Sequence, residues 1–114
     1  MISKITMIEP KNDHLHIYSQ YELPRLGGVL LATIMRDRGY QAEALFMDSR
    51  EVRARQTRTD LVGISTITPT SHSAYDLGDH FRAQGTPVVY GGPHASFLPE
   101  EALEHGDYVI VGEG

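Results

Sequence analysis

Short apolar runs alternate along the chain with stretches whose apolar residues recur at helical spacing, the pattern of repeating β-α units. Ile5 to Ile8 predicts a first strand, stopped at Glu9-Pro10 because proline cannot donate to a ladder. A polar loop follows to about Leu23. From Pro24, the stripe Leu26, Val29, Leu30 and Ile34 predicts a helix, with proline suited to its first turn and Gly39 to a left-handed stop. Ala42 to Met47 predicts a second strand ending at Asp48, and Ser49 to Arg53 a short helix or loop of low apolar content. Leu61 to Ile64 reads as the third strand. Thr68-Pro69-Thr70-Ser71 then offers a turn and candidate caps for a helix whose stripe is Ala74, Leu77, Gly78 and Phe81, ending at Gly85. Val88 to Tyr90 predicts a fourth strand, leading through Gly91-Gly92-Pro93 to a helix from near Pro99 to Gly106, with Glu100 and Glu101 at its positive end. Tyr108 to Val111 predicts the fifth.

Strict alternation implies right-handed crossovers and a parallel sheet covered on both faces, an α/β doubly wound fold of flavodoxin-like order 2-1-3-4-5. In such a sheet the strand ends share one edge, where ligands bind. Three runs end there in small, polar or glycine-rich residues: Leu61 to Thr66, Val88 to His94, and Tyr108 to Gly114.

Composition narrows the function. A chain of 114 residues, 40% hydrophobic and 22% charged, fits one domain over residues 1–114. A formal charge of −5 gives no electrostatic reason to expect nucleic acid or an anionic membrane as partner. The run Arg50, Arg53, Arg55 and Arg58 is interrupted by acids and reads as a solvated face. With 0 cysteines, disulfides, thiolate metal sites and iron–sulfur ligation are excluded within these residues. No apolar run reaches the roughly 18–20 residues of a membrane span, and the start lacks the apolar core of a signal peptide, so a cytoplasmic protein is expected. The sequence stops three residues after the fifth predicted strand, where a closing helix ordinarily follows. A fragment of a longer chain is therefore expected, with an apolar patch on the last strands exposed, covered by another chain, or self-associating.

The set Leu23-Pro24-Arg25-Leu26-Gly27, Asp60 to Ser65, Thr68-Pro69-Thr70, Gly91-Gly92-Pro93-His94, Leu98 to Ala102 and Val111-Gly112-Glu113-Gly114 resembles the amino-terminal cobalamin-binding domain of cobalamin-dependent radical SAM enzymes. The likeness covers nearly the whole chain. It implies a flavodoxin-like domain that binds cobalamin and precedes a downstream barrel carrying a [4Fe-4S] cluster and S-adenosylmethionine, in enzymes that are often methyltransferases. It further implies that the nucleotide tail enters a slot at the carboxyl edge. Gly63, Gly91 and Gly92 would let a flat base approach backbone, and Ser65, Thr66 and Thr68 would hydrogen-bond the tail. Pro93 and His94 would form the rim, Pro24, Arg25, Leu26 and Gly27 would lie under the corrin, and Gly112 and Glu113 would line the same mouth. No catalytic residue and no metal ligand is expected within the chain.

One departure carries chemistry. Mutases and methionine synthases place Asp-x-His-x-x-Gly after the first strand, with the histidine on cobalt. Setting the final glycine at Gly28 puts Leu23 at the aspartate place and Arg25 at the histidine place. A guanidinium has no lone pair to donate, so the resemblance implies a cofactor held base-off with no axial protein histidine. Asp13-His14-Leu15-His16 lies in the same loop at the wrong spacing, and His94 reads as a turn or rim residue. The alternatives are a receiver-like interaction domain and a flavin carrier. Receivers need an aspartate where the third strand ends in Ser65-Thr66, and a flavin carrier needs a hydroxyl-rich loop where Glu9-Pro10-Lys11-Asn12-Asp13 stands.

Overall fold

The computed structural model describes residues 2–10, 26–47, 49–55 and 58–112, with residues 26–30 described by backbone alone. Its elements are β1 (Lys4–Pro10), α1 (Leu26–Asp37), β2 (Gln41–Met47), α2 (Ser49–Arg55), β3 (Leu61–Ser65), a 3-10 turn (Thr68–Thr70), α3 (Ser71–Ala83), β4 (Val88–Gly91), α4 (Pro93–Phe97), α5 (Pro99–Leu103) and β5 (Tyr108–Val109). All strand pairs are parallel and the order is β2-β1-β3-β4-β5, as the alternation predicts.

The helix stops follow the glycines: Gly39 and Gly85 have φ of +95° and +81°, left-handed values that glycine adopts without a Cβ penalty. Elsewhere the boundaries move for physical reasons. β1 runs on through Pro10, because its pairing with β3 ends at Ile8–Ile64 and only β2 still flanks it there. The segment after β2 is helical because one residue anchors it: Val52 is wholly buried. Thr70 does not cap α3 with its side chain; its hydroxyl reaches back to the Ile67 carbonyl at 3.4 Å. The helix expected from Pro99 to Gly106 shortens to Pro99–Leu103, and a separate α4 precedes it. The fifth strand keeps only Tyr108–Val109, since β4 is its one neighbour and β4 ends at Gly91.

Alternation along the strands divides the sheet. Ile8, Leu45, Val62, Ile64, Val88 and Tyr90 point to one face and pack under Val52 of α2, Ala74, Leu77 and Phe81 of α3, Ala95 of α4 and Ala102 of α5. Each large side chain buried there stabilises the fold by about 1.5–3 kcal/mol relative to exposure. Met7, Gly63, Ser65, Val89, Gly91 and Tyr108 point to the other face, where α1 packs on β1 and β2. The apolar patch expected at the last strands is exposed in this chain: Tyr108 and Val111 are each 62% accessible.

Asp60 ties the start of β3 to the start of β1. Its carboxylate accepts the Ser3 amide and hydroxyl, both at 3.0 Å, and the Lys4 amide at 2.9 Å. These donors, the Ser3 amide foremost, hold its pKa below the ordinary 3.8. A depressed pKa stabilises the fold fully above the unfolded value and loses that stabilisation as pH falls through the folded one. In urea unfolding, Asp60→Ala should lower the midpoint at neutral pH, and the gap to the parent chain should close as pH falls below about 4. A gap independent of pH would contradict this.

Candidate functional site

The site grows from the ends of β3 and β4. Ser65 and Gly91 are register partners on the same face, two residues beyond Gly63 and Val89 in the alternation. Gly92 follows with φ +94° and ψ 174°, a region essentially restricted to glycine. A Cβ on Gly92 would lie 2.6 Å from the Thr66 carbonyl oxygen, 2.8 Å from the Thr66 nitrogen and 3.2 Å from Ser65 Oγ. The two loops thus meet backbone to backbone. A Cβ on Gly91, by contrast, would meet nothing within 4 Å among the described residues, which leave beside Ser65 a shallow cradle floored by main chain.

Thr66 locks this contact from inside. It is completely buried; its amide and hydroxyl both donate to the Gly91 carbonyl, at 2.8 and 2.7 Å. The same hydroxyl accepts the Ala95 amide at 2.9 Å, and the Thr66 carbonyl accepts the His94 amide at 3.2 Å. Thr66 therefore satisfies two orphan amides of α4, which its own N-cap, Gly92, leaves unpaired by side chain. The isosteric Thr66→Val removes the bond to the Ala95 amide in a dry interior. It should cost about 1–3 kcal/mol in chemical denaturation, and a loss below 0.5 kcal/mol would show that the hydroxyl is not a structural tie.

Behind the loops stands a polar cluster. Thr68 Oγ1 lies 3.2 Å from His94 Nδ1, and His94 Nε2 lies 2.9 Å from Glu101 Oε2. Tyr75 donates its hydroxyl to the same oxygen at 2.8 Å. The Tyr75 bond first, and then His94, hold the Glu101 carboxyl below its usual range; burial, followed by Glu101, pushes the Tyr75 hydroxyl up. At the mouth, Gly112 has φ +90° and its amide donates to Ser96 Oγ at 3.0 Å, bringing the end of the chain over α4.

Of the residues proposed from sequence, Ser65, Thr66, Thr68, Gly91, Gly92, Pro93 and His94 thus gather at one edge, with Gly112 tied in through Ser96. Their surroundings differ from a uniform lining. Thr66 is enclosed, and the space over Gly63 holds the Met7 thioether, 2.8 Å from where a Cβ would stand. Leu26 and Gly27 open α1, while Pro24, Arg25 and Glu113 lie outside the described residues. Sequence reasoning missed Tyr75 and Ser96, whose only signal was polarity on otherwise ordinary helices, and read Glu101 only as a helix-end charge within the Leu98 to Ala102 motif.

A groove of about 260 Å³ lined by Arg82, Gly85, Thr86, Pro87 and Asp107 lies at the amino end of β4, away from this site. Asp107 is already spoken for there, accepting the Val88 amide at 2.8 Å. Among the described residues, no three or more His, Asp or Glu side chains group to hold a metal, and no helix is long and apolar enough to cross a membrane.

Known proteins resemble this chain in sequence and in fold. Over 54 residues the chain is 50% identical to a bacteriochlorophyllide d C-8(2)-methyltransferase of Chlorobaculum tepidum and 43% identical to the C-12(1)-methyltransferase of the same organism. Those stretches cover 47% of this chain and only 12% of each relative. A cobalamin-binding protein from Desulfitobacterium hafniense superposes with a TM-score of 0.64 at 17% identity, over 97% of this chain and 53% of that one. The response regulator TrrA from Thermotoga maritima superposes with a TM-score of 0.66 at 13% identity, over 97% and 87% respectively, so these two likenesses establish the fold alone. The B12 binding domain model matches residues 15–114, and the chain belongs to that family.

Proposed function

We propose that the chain is the cobalamin-binding module of a radical S-adenosylmethionine enzyme of methyltransferase type, holding the cofactor base-off with no protein imidazole on cobalt. The observation that carries this reading is the Ser65–Gly91 pair. A hydroxyl and a strip of backbone lie side by side at the carboxyl edge, where a Cβ on Gly91 would meet none of the described residues. That geometry suits a flat base laid against main chain, with Ser65 as polar contact. Met7, whose thioether stands over Gly63, has an unbranched, adaptable side chain that can shift to deepen the slot. Thr66 serves by holding the loops together, and Thr68 by anchoring His94. A tail seated here is off the metal, and Arg25, at the place of the axial histidine in mutases, has no lone pair to replace it. When bound, cobalamin supplies a methyl carrier whose reduction is easier without electron donation from below.

The relatives bear on the rest of the enzyme. Both are methyltransferases, and the stretch matched is a small part of each, as fits one module of a larger enzyme; the downstream barrel with its [4Fe-4S] cluster and S-adenosylmethionine is what the sequence resemblance adds. The exposed Tyr108, Ile110 and Val111 suit a docking edge for that domain or for a second copy. The receiver reading lacks its chemistry: β3 ends in Ser65, not in a phosphoryl-accepting aspartate.

Absorbance titration of the purified chain tests the proposal. Hydroxocobalamin should give a saturable spectral shift and flavin mononucleotide none. Saturable flavin binding without cobalamin binding would overturn it.

A further inference from the structure

We propose that Thr68, His94, Glu101 and Tyr75 form a brace that fixes the spacing of the two cradle loops, with His94 held as the neutral tautomer protonated on Nε2. The inference rests on the reading of the cradle as a cobalamin tail site. Thr68 follows β3 and His94 follows Gly92, so the 3.2 Å contact between Thr68 Oγ1 and His94 Nδ1 spans the loops that carry Ser65 and Gly91. The partners all belong to elements packed on the core face of the sheet, behind the cradle.

The contact with Glu101 locates one ring proton. An ionised carboxylate only accepts, so the 2.9 Å contact between His94 Nε2 and Glu101 Oε2 places the ring proton on Nε2. In the proposed neutral ring the in-plane lone pair stays on Nδ1, 3.2 Å from the Thr68 hydroxyl that would donate to it. Tyr75 holds the carboxylate in place through its own 2.8 Å bond. Its ring is fixed in turn, stacked on His105 at 4.6 Å and edge-on to Tyr90 at 5.6 Å. The His94 side chain is 10% accessible while that of Glu101 is 46%, so the histidine is the enclosed member. With both nitrogens engaged it offers no lone pair to a metal. His94 is a positioning residue that also withholds itself from cobalt.

Two measurements test this. Nitrogen-15 NMR of the histidine rings needs no cofactor: His94 should show a protonated Nε2 and a bare, hydrogen-bonded Nδ1. The opposite tautomer, or an averaged pair, would overturn the brace. In hydroxocobalamin titrations, Glu101→Ala should weaken binding about tenfold with the melting curve of the chain preserved, as expected for losing a bond to a charged acceptor. Glu101→Gln, whose amide oxygen still accepts from Nε2–H, should recover most of the loss. Unchanged affinity in Glu101→Ala overturns the proposal and leaves the cofactor reading intact. A parent chain that takes up no hydroxocobalamin removes the cofactor reading, and the tautomer then decides the brace alone.

Discussion

Alanine at Gly92 should cost the fold about 3 kcal/mol or more in denaturant unfolding and should abolish saturable cobalamin uptake. Two costs add. The backbone at φ +94° and ψ 174° is a conformation that residues with a Cβ adopt only under strain of about 1–3 kcal/mol. The new methyl would also press on Thr66, 2.6 Å from its carbonyl oxygen and 2.8 Å from its nitrogen, and both are backbone atoms that have no rotamer to escape into. Relief requires the loops to part, which breaks the Thr66–Gly91 bonds at 2.7 and 2.8 Å and widens the cradle. Gly91→Ala is the informative control. A Cβ there meets nothing within 4 Å among the described residues, so stability should hold within about 1 kcal/mol while cofactor affinity falls, because the methyl occupies the space assigned to the tail. Equal stability losses at the two positions would show that the glycines serve the turn and not a ligand.

The second large effect lies in the core. Gly78 sits on α3 directly over the Tyr90 ring; a Cβ there would overlap the Tyr90 hydroxyl oxygen and stand 2.6 Å from the His105 carbonyl. Tyr90 is fully buried and donates to the Ala74 carbonyl at 3.0 Å, so it cannot swing aside without abandoning that bond. Gly78→Ala should therefore destabilise by about 2–4 kcal/mol despite the better helix propensity of alanine. Tyr90→Phe alone should cost about 1 kcal/mol, through the lost bond. Combined, the two should cost less than their sum, because removing the hydroxyl relieves part of the overlap. Strict additivity in the double-mutant cycle would contradict the packing described.

Both glycines show what could be read from the chain and what could not. Sheet order was legible because alternation of strand and helix leaves few topologies, and the stops at Gly39 and Gly85 because a left-handed residue leaves a local mark. Gly78 was visible only as one member of a helical stripe; its close fit to Tyr90 depends on a strand that enters the chain later. The short α4 reads from sequence as a turn, since five residues beginning Pro93 carry too little periodicity, and its amides are satisfied by Thr66 in the loop after β3. The same limit governs the site. Ser65, Gly91 and Gly92 announced themselves by type and by their place after apolar runs, whereas Tyr75 and Glu101 matter only through a histidine that the tertiary fold brings to them. Thr66 and Thr68 looked alike as hydroxyls, yet burial turns one into an internal tie and leaves the other on a histidine.

On the proposed reading, the edge formed by Ser65, Gly91 and Gly92 takes the nucleotide tail off cobalt and puts no protein imidazole in its place. Electron paramagnetic resonance of cob(II)alamin, recorded before and after adding the chain, tests it most directly. Free cofactor at neutral pH carries nitrogen splitting on its cobalt lines from its own base, and binding should erase it. Splitting that persists in the presence of saturating chain, from the tail or from a protein histidine, would contradict the account.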